Sequence, residues 1–295
     1  MFDLLRCRPA LLAVLLALGL STGCDSSDDP PAHETLAEDI AFSVANALAL
    51  QTNGALDLAA DLALALDEAF PPSTSPLTYA SDVTRTYRYD GSNTLWRISA
   101  EGTRGERGTD FFARIRRGYN VTFLAADGRP ISSFNAPNDQ AARIETAITS
   151  GTSDREVPDS NSRLTGMSGA LTVTDLDTPS LTVNGTVTLS GLDRIARAGD
   201  VFVALSYTLA LTFDNVRGPA DGRSGWASEA TGRLTGTYTA VYSREVGGNL
   251  TETPIERTVE VNLEDGNGLR ALRLLFGDQV FRANIETGLL ETLAP

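Results

Sequence analysis

Few residues of this chain combine into a pattern that could do chemistry. His33 is its only histidine, it has no Gly-x-Ser-x-Gly sequence, and the run Gly166-Met167-Ser168-Gly169 lacks the required spacing. One histidine cannot build a histidine-rich zinc site, and a catalytic triad needs a firmly held base. We therefore predict no catalytic residue, no metal ligand and no cofactor.

Phe112, Arg114 and Arg116 alternate along one predicted strand and so share a face. Neighbouring guanidinium groups are suited to a phosphate or a carboxylate, which they bind through paired hydrogen bonds. The alternative is a solvated strand face on which the arginine stems cover apolar surface. We predict these three residues as a candidate anion-binding site, with the alternative left open.

Two pairs of acids lie at predicted turns. Asp175 and Asp177 flank one turn, and Glu264 and Asp265 precede Gly266 in another. Turn carboxylates suit a calcium ion, but neither pair matches the EF-hand loop, and acids also start turns without any ion. We interpret both pairs as turn-forming residues.

An apolar run of ten residues, LLAVLLALGL at 11–20, follows Arg6 and Arg8 and leads into Ser21-Thr22-Gly23-Cys24. A helix that spans a bilayer needs about 20 apolar residues, so this run fits the central part of a cleavable signal instead. The segment resembles the lipobox of bacterial lipoproteins, in which the cysteine thiol is lipidated and the cysteine becomes the new N-terminus.

The resemblance implies that residues 1–23 are removed as a signal peptide and that a lipid on Cys24 holds the protein to a membrane. Ser21 stands where the family usually has leucine, so cleavage by an ordinary signal peptidase, or an uncleaved anchor, stays an alternative. An aspartate after the cysteine resembles an inner-membrane retention signal in enteric bacteria, and an acidic run there resembles a surface-export signal in others. We expect the bacterial cell envelope outside the cytoplasm, with the outer membrane or cell surface favoured.

The composition excludes several classes of protein. The chain carries a formal charge of −14 and all its basic residues other than His33 are arginine, so binding of nucleic acid through a basic face is not expected. Cys7 would leave with the signal and Cys24 would carry the lipid, which excludes an intramolecular disulfide, thiol chemistry and cysteine metal sites.

Charge is distributed unevenly along the chain. Residues 25–70 contain ten acids and no arginine, whereas residues 85–129 contain nine arginines and five acids. Either these two parts attract one another, or both are ordinary solvated surfaces whose exposed pairs contribute little.

Residues 24–32 read as an acidic tether, stiffened by Pro30-Pro31. Apolar residues then recur at helical spacing over 33–72, with an interruption at Asn53-Gly54, which predicts a helical hairpin. We place Asp57 and Asp61 toward its polar side. So narrow an Ala/Leu stripe is marginal alone and should pack on something larger, such as one face or the open end of a sheet.

From residue 79 to 290 the period drops to two, which predicts an antiparallel β domain of about a dozen strands. So many strands must curl into one barrel-like sheet or split into a sandwich. A membrane-spanning barrel also alternates, but the chain has no aromatic girdles. Residues 150–166 are mostly polar and are predicted to form a long loop. The fold class is thus mainly β, with an N-terminal helical hairpin.

The order of helices then strands, with a phrase such as YNVTFLAADGRPI at 119–131, is similar to uncharacterised bacterial envelope lipoproteins, which implies no activity. We expect a lipid-anchored, non-enzymatic protein that binds a hydrophobic or anionic ligand or serves in assembly. The alternative is a carboxylate-dependent hydrolase of envelope or extracellular polysaccharide, with two acids roughly 5–9.5 Å apart. Only Trp96 and Trp226 would then be tryptophans available to a sugar site.

Overall fold

The computed structural model describes residues 33–67, 83–109, 111–136, 139–197, 201–220, 225–265 and 270–291. The predicted signal peptide, Cys24 and the predicted tether lie outside this part of the chain. The described part is mainly β, as predicted, with the two expected helices at its beginning.

The helical hairpin consists of α1 (His33–Leu48) and α2 (Ala55–Asp67), both rich in alanine and leucine. The turn between them depends on two residues. Asn53 adopts a left-handed backbone with φ 66°, which asparagine tolerates better than most residues. A Cβ on Gly54 would lie only 2.7 Å from the carbonyl oxygen of Ala47, so the chain passes here at a distance that only glycine permits.

The remaining elements are strands, apart from one short helix. The strands before the middle of the chain are β1 (Val83–Asp90), β2 (Leu95–Gly105), β3 (Phe112–Leu124), β4 (Pro130–Ile131), β5 (Asn135–Ala136), β6 (Asp139–Gln140), β7 (Arg143–Val157) and β8 (Ser160–Thr174). The later elements are β9 (Ser180–Arg197), β10 (Val201–Pro219), α3 (Trp226–Glu229), β11 (Thr231–Val246), β12 (Asn249–Asp265), β13 (Arg270–Phe276) and β14 (Gln279–Asn284).

The long strands form one antiparallel sheet in the order β1-β2-β3-β7-β8-β9-β10-β11-β12-β13-β14, with β4 added beside β3. Each long strand therefore pairs with its neighbour in sequence, and the prediction of about a dozen strands is confirmed. The sheet does not close on itself, because its two outermost strands, β1 and β14, are not paired with each other in the described part of the chain.

The sheet curls around the helical hairpin. At one edge, Arg85 of β1 binds Asp61 of α2. Beyond the other edge, the amide of Leu50 donates a hydrogen bond to the carbonyl of Ile285. One apolar cluster contains buried residues of both helices and of nearly every long strand, so helices and sheet share a single core.

A cluster of buried ion pairs fixes α2 to the first strands, and we call it the arginine clamp (Asp57, Asp61, Arg85, Arg104 and Arg117). Arg104 and Arg117 each bind Asp57 at 3.1 Å, Arg85 binds Asp61 at 2.6 Å, and Arg117 also binds Asp61. The acidic and basic parts of the chain therefore do attract one another. Asp57 and Asp61 lie in the core, not on a solvent-facing side of the helix.

The expected long loop at 150–166 is wrong. Residues 143–157 and 160–174 are two strands joined by Pro158 and Asp159, and residues 153–164 belong to this β7–β8 hairpin. The alternation was hidden because the inward positions are polar too. Ser153, Arg155 and Ser162 are buried although none of them is apolar.

The turns that follow β2, β7, β9 and β11 lie at the same end of the sheet, which we call the rim. The registers show this directly, since Phe112 at the start of β3 pairs with Glu156, and Ser160 pairs with Ile195. The opposite end carries the turn between β8 and β9 and the segment that contains α3.

Candidate functional site

A row of polar side chains crosses the inner face of the sheet near the rim. Arg155 of β7 pairs in register with Ser162 of β8, which pairs with Asp193 of β9. All three are buried, with Arg155 only 2 % exposed. Side chains opposite one another on one face of a sheet are in contact distance, so this row is a continuous polar strip inside the core.

The strip lies against one face of α1. Asp39, Ser43 and Asn46 recur at helical spacing and all three are buried. Asn46 accepts a hydrogen bond from Nη1 of Arg155 through its side-chain oxygen and donates to Oδ1 of Asp193 at 3.4 Å. The amide of one helix residue therefore links the two charged groups of the strip.

Two tyrosines complete the wall beside α1. The hydroxyl of Tyr238 and the Ser43 hydroxyl are hydrogen-bonded at 3.0 Å, and the ring of Tyr207 stacks on that of Tyr238 with centroids 5.6 Å apart. Burial raises the pKa of both tyrosines, so both stay neutral at physiological pH.

The charge balance of the strip is unusual. Burial raises the pKa of Asp193 to about 6, although the neighbouring hydroxyl of Ser43, the hydrogen bond from Asn46 and the charge of Arg155 act in the opposite direction. Burial lowers the pKa of Arg155 to about 10, with the charge of Asp193 opposing the change. Nε and Nη2 of Arg155 have no hydrogen-bond partner among the described residues.

A pocket of about 780 Å³ opens above the strip, between α1 and the rim, and we call it the rim pocket. Its walls are mostly apolar and its edge is charged. It is lined by Glu38, Phe42, Val157, Pro158, Asp159, Ser160, Ile195, Ala196, Arg197, Leu289 and Leu290. Phe42 separates the pocket from the strip, since the guanidinium carbon of Arg155 lies 5.6 Å from the centre of its ring.

Two polar atoms of the rim pocket are buried without a hydrogen-bond partner in the described part of the chain, namely Oγ of Ser160 and Nε of Arg197. The other end of the Arg197 guanidinium pairs with Asp39. Burial raises the pKa of Asp39, against the opposing effects of Arg197 and of the Tyr242 hydroxyl, which donates to it at 3.3 Å. The pocket thus combines a mostly apolar wall with two donors just beneath its surface that lack a partner in the described part of the chain.

The predicted anion site lies elsewhere, on the outer face of the sheet. Arg114 and Arg116 are exposed and line a shallow depression of about 260 Å³ together with Arg163. Both also face Glu101, which is 2.5 Å from Arg116 and 3.9 Å from Arg114. The structure brings the two arginines together but gives them an acid as a partner, so anion binding there stays a prediction.

Phe112 does not line this depression. It is 9 % exposed, and the guanidinium of Arg107 lies 4.9 Å from its ring centre. The ring of Phe112 therefore makes a cation–π contact with Arg107 at the rim.

Among the described residues, the acids of the turn between β8 and β9 form no second site. Asp175 accepts a hydrogen bond from the hydroxyl of Thr182 and has a left-handed backbone, as a turn residue does. Across the described ranges, no group of three His, Cys, Asp or Glu side chains could hold a metal ion. His33 begins α1. Cys24, the predicted lipidation site, lies outside the described residues.

Sequence reasoning missed every residue of the strip and of the rim pocket. The available signal was the alternation of small polar residues and one arginine over Ser153, Arg155, Ser160 and Ser162, which continues the period of the neighbouring strands. The candidate site therefore lies where the polarity of the sequence concealed the strand.

The helices of the described part are all too short or too polar to cross a membrane. No protein-family model, no curated protein and no solved structure matches this chain.

Proposed function

We propose that this chain is a lipid-anchored protein of the bacterial cell envelope that binds an amphipathic small molecule in the rim pocket and catalyses no reaction. The anchoring part of the proposal rests on the sequence, where a short apolar run ends in Cys24. The binding part rests on the geometry of the pocket.

The observation that carries the binding proposal is the pairing of apolar walls with unsatisfied donors. Ligand pockets of about 300–1,000 Å³ typically combine a mostly hydrophobic lining with a few placed polar groups, and the rim pocket of about 780 Å³ has this composition. Ser160 and Arg197 both supply N–H or O–H groups, so the ligand should present an oxygen acceptor, such as a carboxylate or a phosphate, on an apolar body.

The hydrolase alternative would have to use Glu38 and Asp159, the two acids that line the rim pocket. Its substrate would be a polysaccharide, and sugar sites are usually lined with aromatic rings. Phe42 is the sole aromatic residue among the pocket's lining residues, the others being mainly aliphatic. This lining favours an acyl chain over a sugar ring.

The binding proposal is tested by titrating the mature protein with laurate, an anionic amphiphile, in a calorimeter. Ser160→Ala should weaken binding about three- to tenfold, because one hydrogen bond is lost, while leaving stability unchanged or higher. Ser168→Ala, an exposed serine on the same strand, is the matched control and should bind like the native protein.

A second pair of variants tests the location of the ligand. Ala196→Trp narrows the mouth of the rim pocket and should abolish binding, whereas Ala210→Trp, at an exposed alanine on the outer face of β10, should not. If neither Ala196→Trp nor Ser160→Ala changes the affinity, the rim pocket is not the binding site. Turnover of envelope polysaccharide that Glu38→Gln or Asp159→Asn abolishes would establish the hydrolase instead.

The anchoring proposal is tested in cells by palmitate labelling and by globomycin, which blocks the lipoprotein signal peptidase. We expect label on the native chain, none on Cys24→Ser, and accumulation of the uncleaved precursor with globomycin. A native protein that carries no label and is released unmodified would overturn it.

A further inference from the structure

Large apolar side chains are exposed on the outer side of the rim. Phe202 is 58 % exposed and Leu250 is 61 % exposed. Phe202 pairs in register with Glu245, which pairs with Leu250, so the two apolar side chains lie on the same face of the sheet, one on each side of Glu245. They also line a groove of about 410 Å³. The rim thus presents two large apolar side chains to the solvent on one face of the sheet.

The N-terminal end of α1 lies at this same rim. Glu38 lines the rim pocket together with Pro158 and Asp159 of the β7–β8 turn, and its carboxylate is 3.9 Å from Arg197, the last residue of β9. The chain therefore enters the folded body beside the exposed apolar residues.

The distance from the predicted lipid to α1 is short. His33, where α1 begins, is nine positions after Cys24, and nine residues span at most about 32 Å whatever their conformation. The strand β10 has 19 residues, which corresponds to about 60 Å from the rim to the opposite end of the sheet. A lipid on Cys24 could therefore not hold the opposite end of the sheet against a membrane.

We propose that the rim docks on the bilayer, with Phe202 and Leu250 inserted at the boundary between headgroups and acyl chains. The inference rests on the proposed lipid anchoring at Cys24. Apolar residues at an interface bind only weakly by themselves, but the anchor keeps them at a high effective concentration next to the lipid. Docking in this orientation also turns the mouth of the rim pocket toward the bilayer, so that a membrane lipid is the source of its amphipathic ligand.

The charges around the apolar patch are mixed. Arg194 and Glu245 line the outer groove, and Asp159 lines both pockets. The chain as a whole is strongly acidic, with a formal charge of −14. Contact with the bilayer should therefore depend on apolar insertion and persist at high salt, when electrostatic attraction is screened.

The experiment exploits the absence of free thiols. Cys7 is removed with the signal and Cys24 carries the lipid, so a single new cysteine can be labelled alone. Asn249→Cys places an environment-sensitive fluorophore at the rim without changing Phe202 or Leu250, and Asp177→Cys places it in the exposed turn at the opposite end. Both lipidated proteins are reconstituted into vesicles of phosphatidylethanolamine and phosphatidylglycerol.

We expect the Asn249→Cys label to shift to shorter wavelength and to be quenched by lipids that carry a nitroxide on the acyl chain, at low and at high salt. The Asp177→Cys label should show neither effect. Adding Phe202→Ser and Leu250→Ser to Asn249→Cys should remove the quenching, whereas Val241→Ser and Val280→Ser, two exposed apolar positions outside the patch, should preserve it.

The outcomes separate this inference from the proposed function. If Cys24 carries no lipid, the anchoring fails and docking fails with it. If Cys24 is lipidated and the protein is bound to vesicles, but the rim label stays in water, only the docking is overturned. A wavelength shift without quenching by the lipid nitroxide would mean that a second protein surface covers the rim, which also overturns it.

Discussion

Four arginines of the described chain are buried, and their surroundings differ in a way that separates a structural role from a binding role. Arg85, Arg104 and Arg117 each pair with an aspartate of α2 in the arginine clamp. Arg155 has only the amide of Asn46 as a hydrogen-bond partner, with the charge of Asp193 nearby. A buried guanidinium without a carboxylate in direct contact stabilises a fold poorly, so the strip around Arg155 is a better candidate for a binding role than the clamp.

Removal of one clamp arginine should destabilise the protein strongly. Arg117→Met leaves Asp57 and Asp61 short of a partner in the core, and we expect a loss of about 3–5 kcal/mol in the free energy of unfolding. Burial alone would lower the pKa of Arg117, but the two aspartates outweigh it and raise the pKa, so the native arginine is charged.

The neighbouring Arg116 is the matched control for chemical denaturation. Its side chain is exposed and pairs with an exposed glutamate, so Arg116→Met should cost no more than about 1 kcal/mol. Equal losses for the two variants would show that the clamp does not hold the helices to the sheet.

The stability of the protein should carry a pH-dependent contribution from Asp193. Its pKa is raised from 3.8 to about 6 in the folded state, so the stability contributed by its protonated form is fully present below about pH 4 and is lost as the pH rises through about 6. As the pH rises over this range, the free energy of unfolding of Asp193→Asn should increase by about 3 kcal/mol relative to that of the native protein. Arg155 stays charged throughout, because its pKa is about 10.

This prediction is checked by denaturant unfolding of both proteins at pH 4 and pH 7. Asp177→Asn, which changes an exposed acid, should run parallel to the native protein at both values. A constant difference between the native protein and Asp193→Asn would mean that Asp193 is already ionised at pH 4 in the folded state.

At the scale of elements, a strand can be predicted from the sequence where apolar and polar residues alternate along it. The inward residues of β9 and β10, such as Val187, Leu205 and Leu211, are apolar and their outward neighbours polar, so these long strands were recognisable. The β7–β8 hairpin was not, because Ser153, Arg155 and Ser162 face inward against a polar stripe of α1. The inward face of a strand can be recognised from apolar periodicity only where the surface that packs on it is also apolar.

The glycine in the turn of the helical hairpin should not tolerate a side chain without a loss of stability. A Cβ on Gly54 would clash with the backbone of α1, and we expect Gly54→Ala to cost about 1–3 kcal/mol. Gly166→Ala is the control, because nothing lies within 4 Å of the position that its Cβ would take. Thermal unfolding should show a change in stability within about 0.5 kcal/mol for this variant. A neutral Gly54→Ala would mean that the hairpin turn can rearrange.

At the scale of the whole molecule, the fold class could be predicted from the sequence and the position of the helices could not. The acidic helices and the arginine-rich first strands are compatible with an attraction, but ordinary solvated surfaces are the interpretation that the sequence favours. The burial of Asp57 and Asp61 in the structure decides for the attraction. The rim pocket could not be predicted, because it forms between α1, two distant turns and the C-terminal Leu289 and Leu290.

Because helices and sheet share one core, the protein should unfold as one unit. We expect the helical signal in circular dichroism and the fluorescence of Trp226, buried at the far end of β10, to change at the same denaturant concentration. An earlier loss of the helical signal would mean that the hairpin is a separate cooperative unit.

The contact between the first helix and the last strand has a consequence for the order in which the chain folds. A meander whose strands pair with their successors can grow one hairpin at a time, since each new contact is local in sequence. The α1–α2 connection is different, because its Leu50 and Gln51 donate to the carbonyls of Ile285 and Glu286. The helical hairpin is synthesised before the sheet and must therefore wait for residues 285 and 286 before it is enclosed, and nascent chains that stop before residue 285 should keep the hairpin accessible to chaperones and proteases.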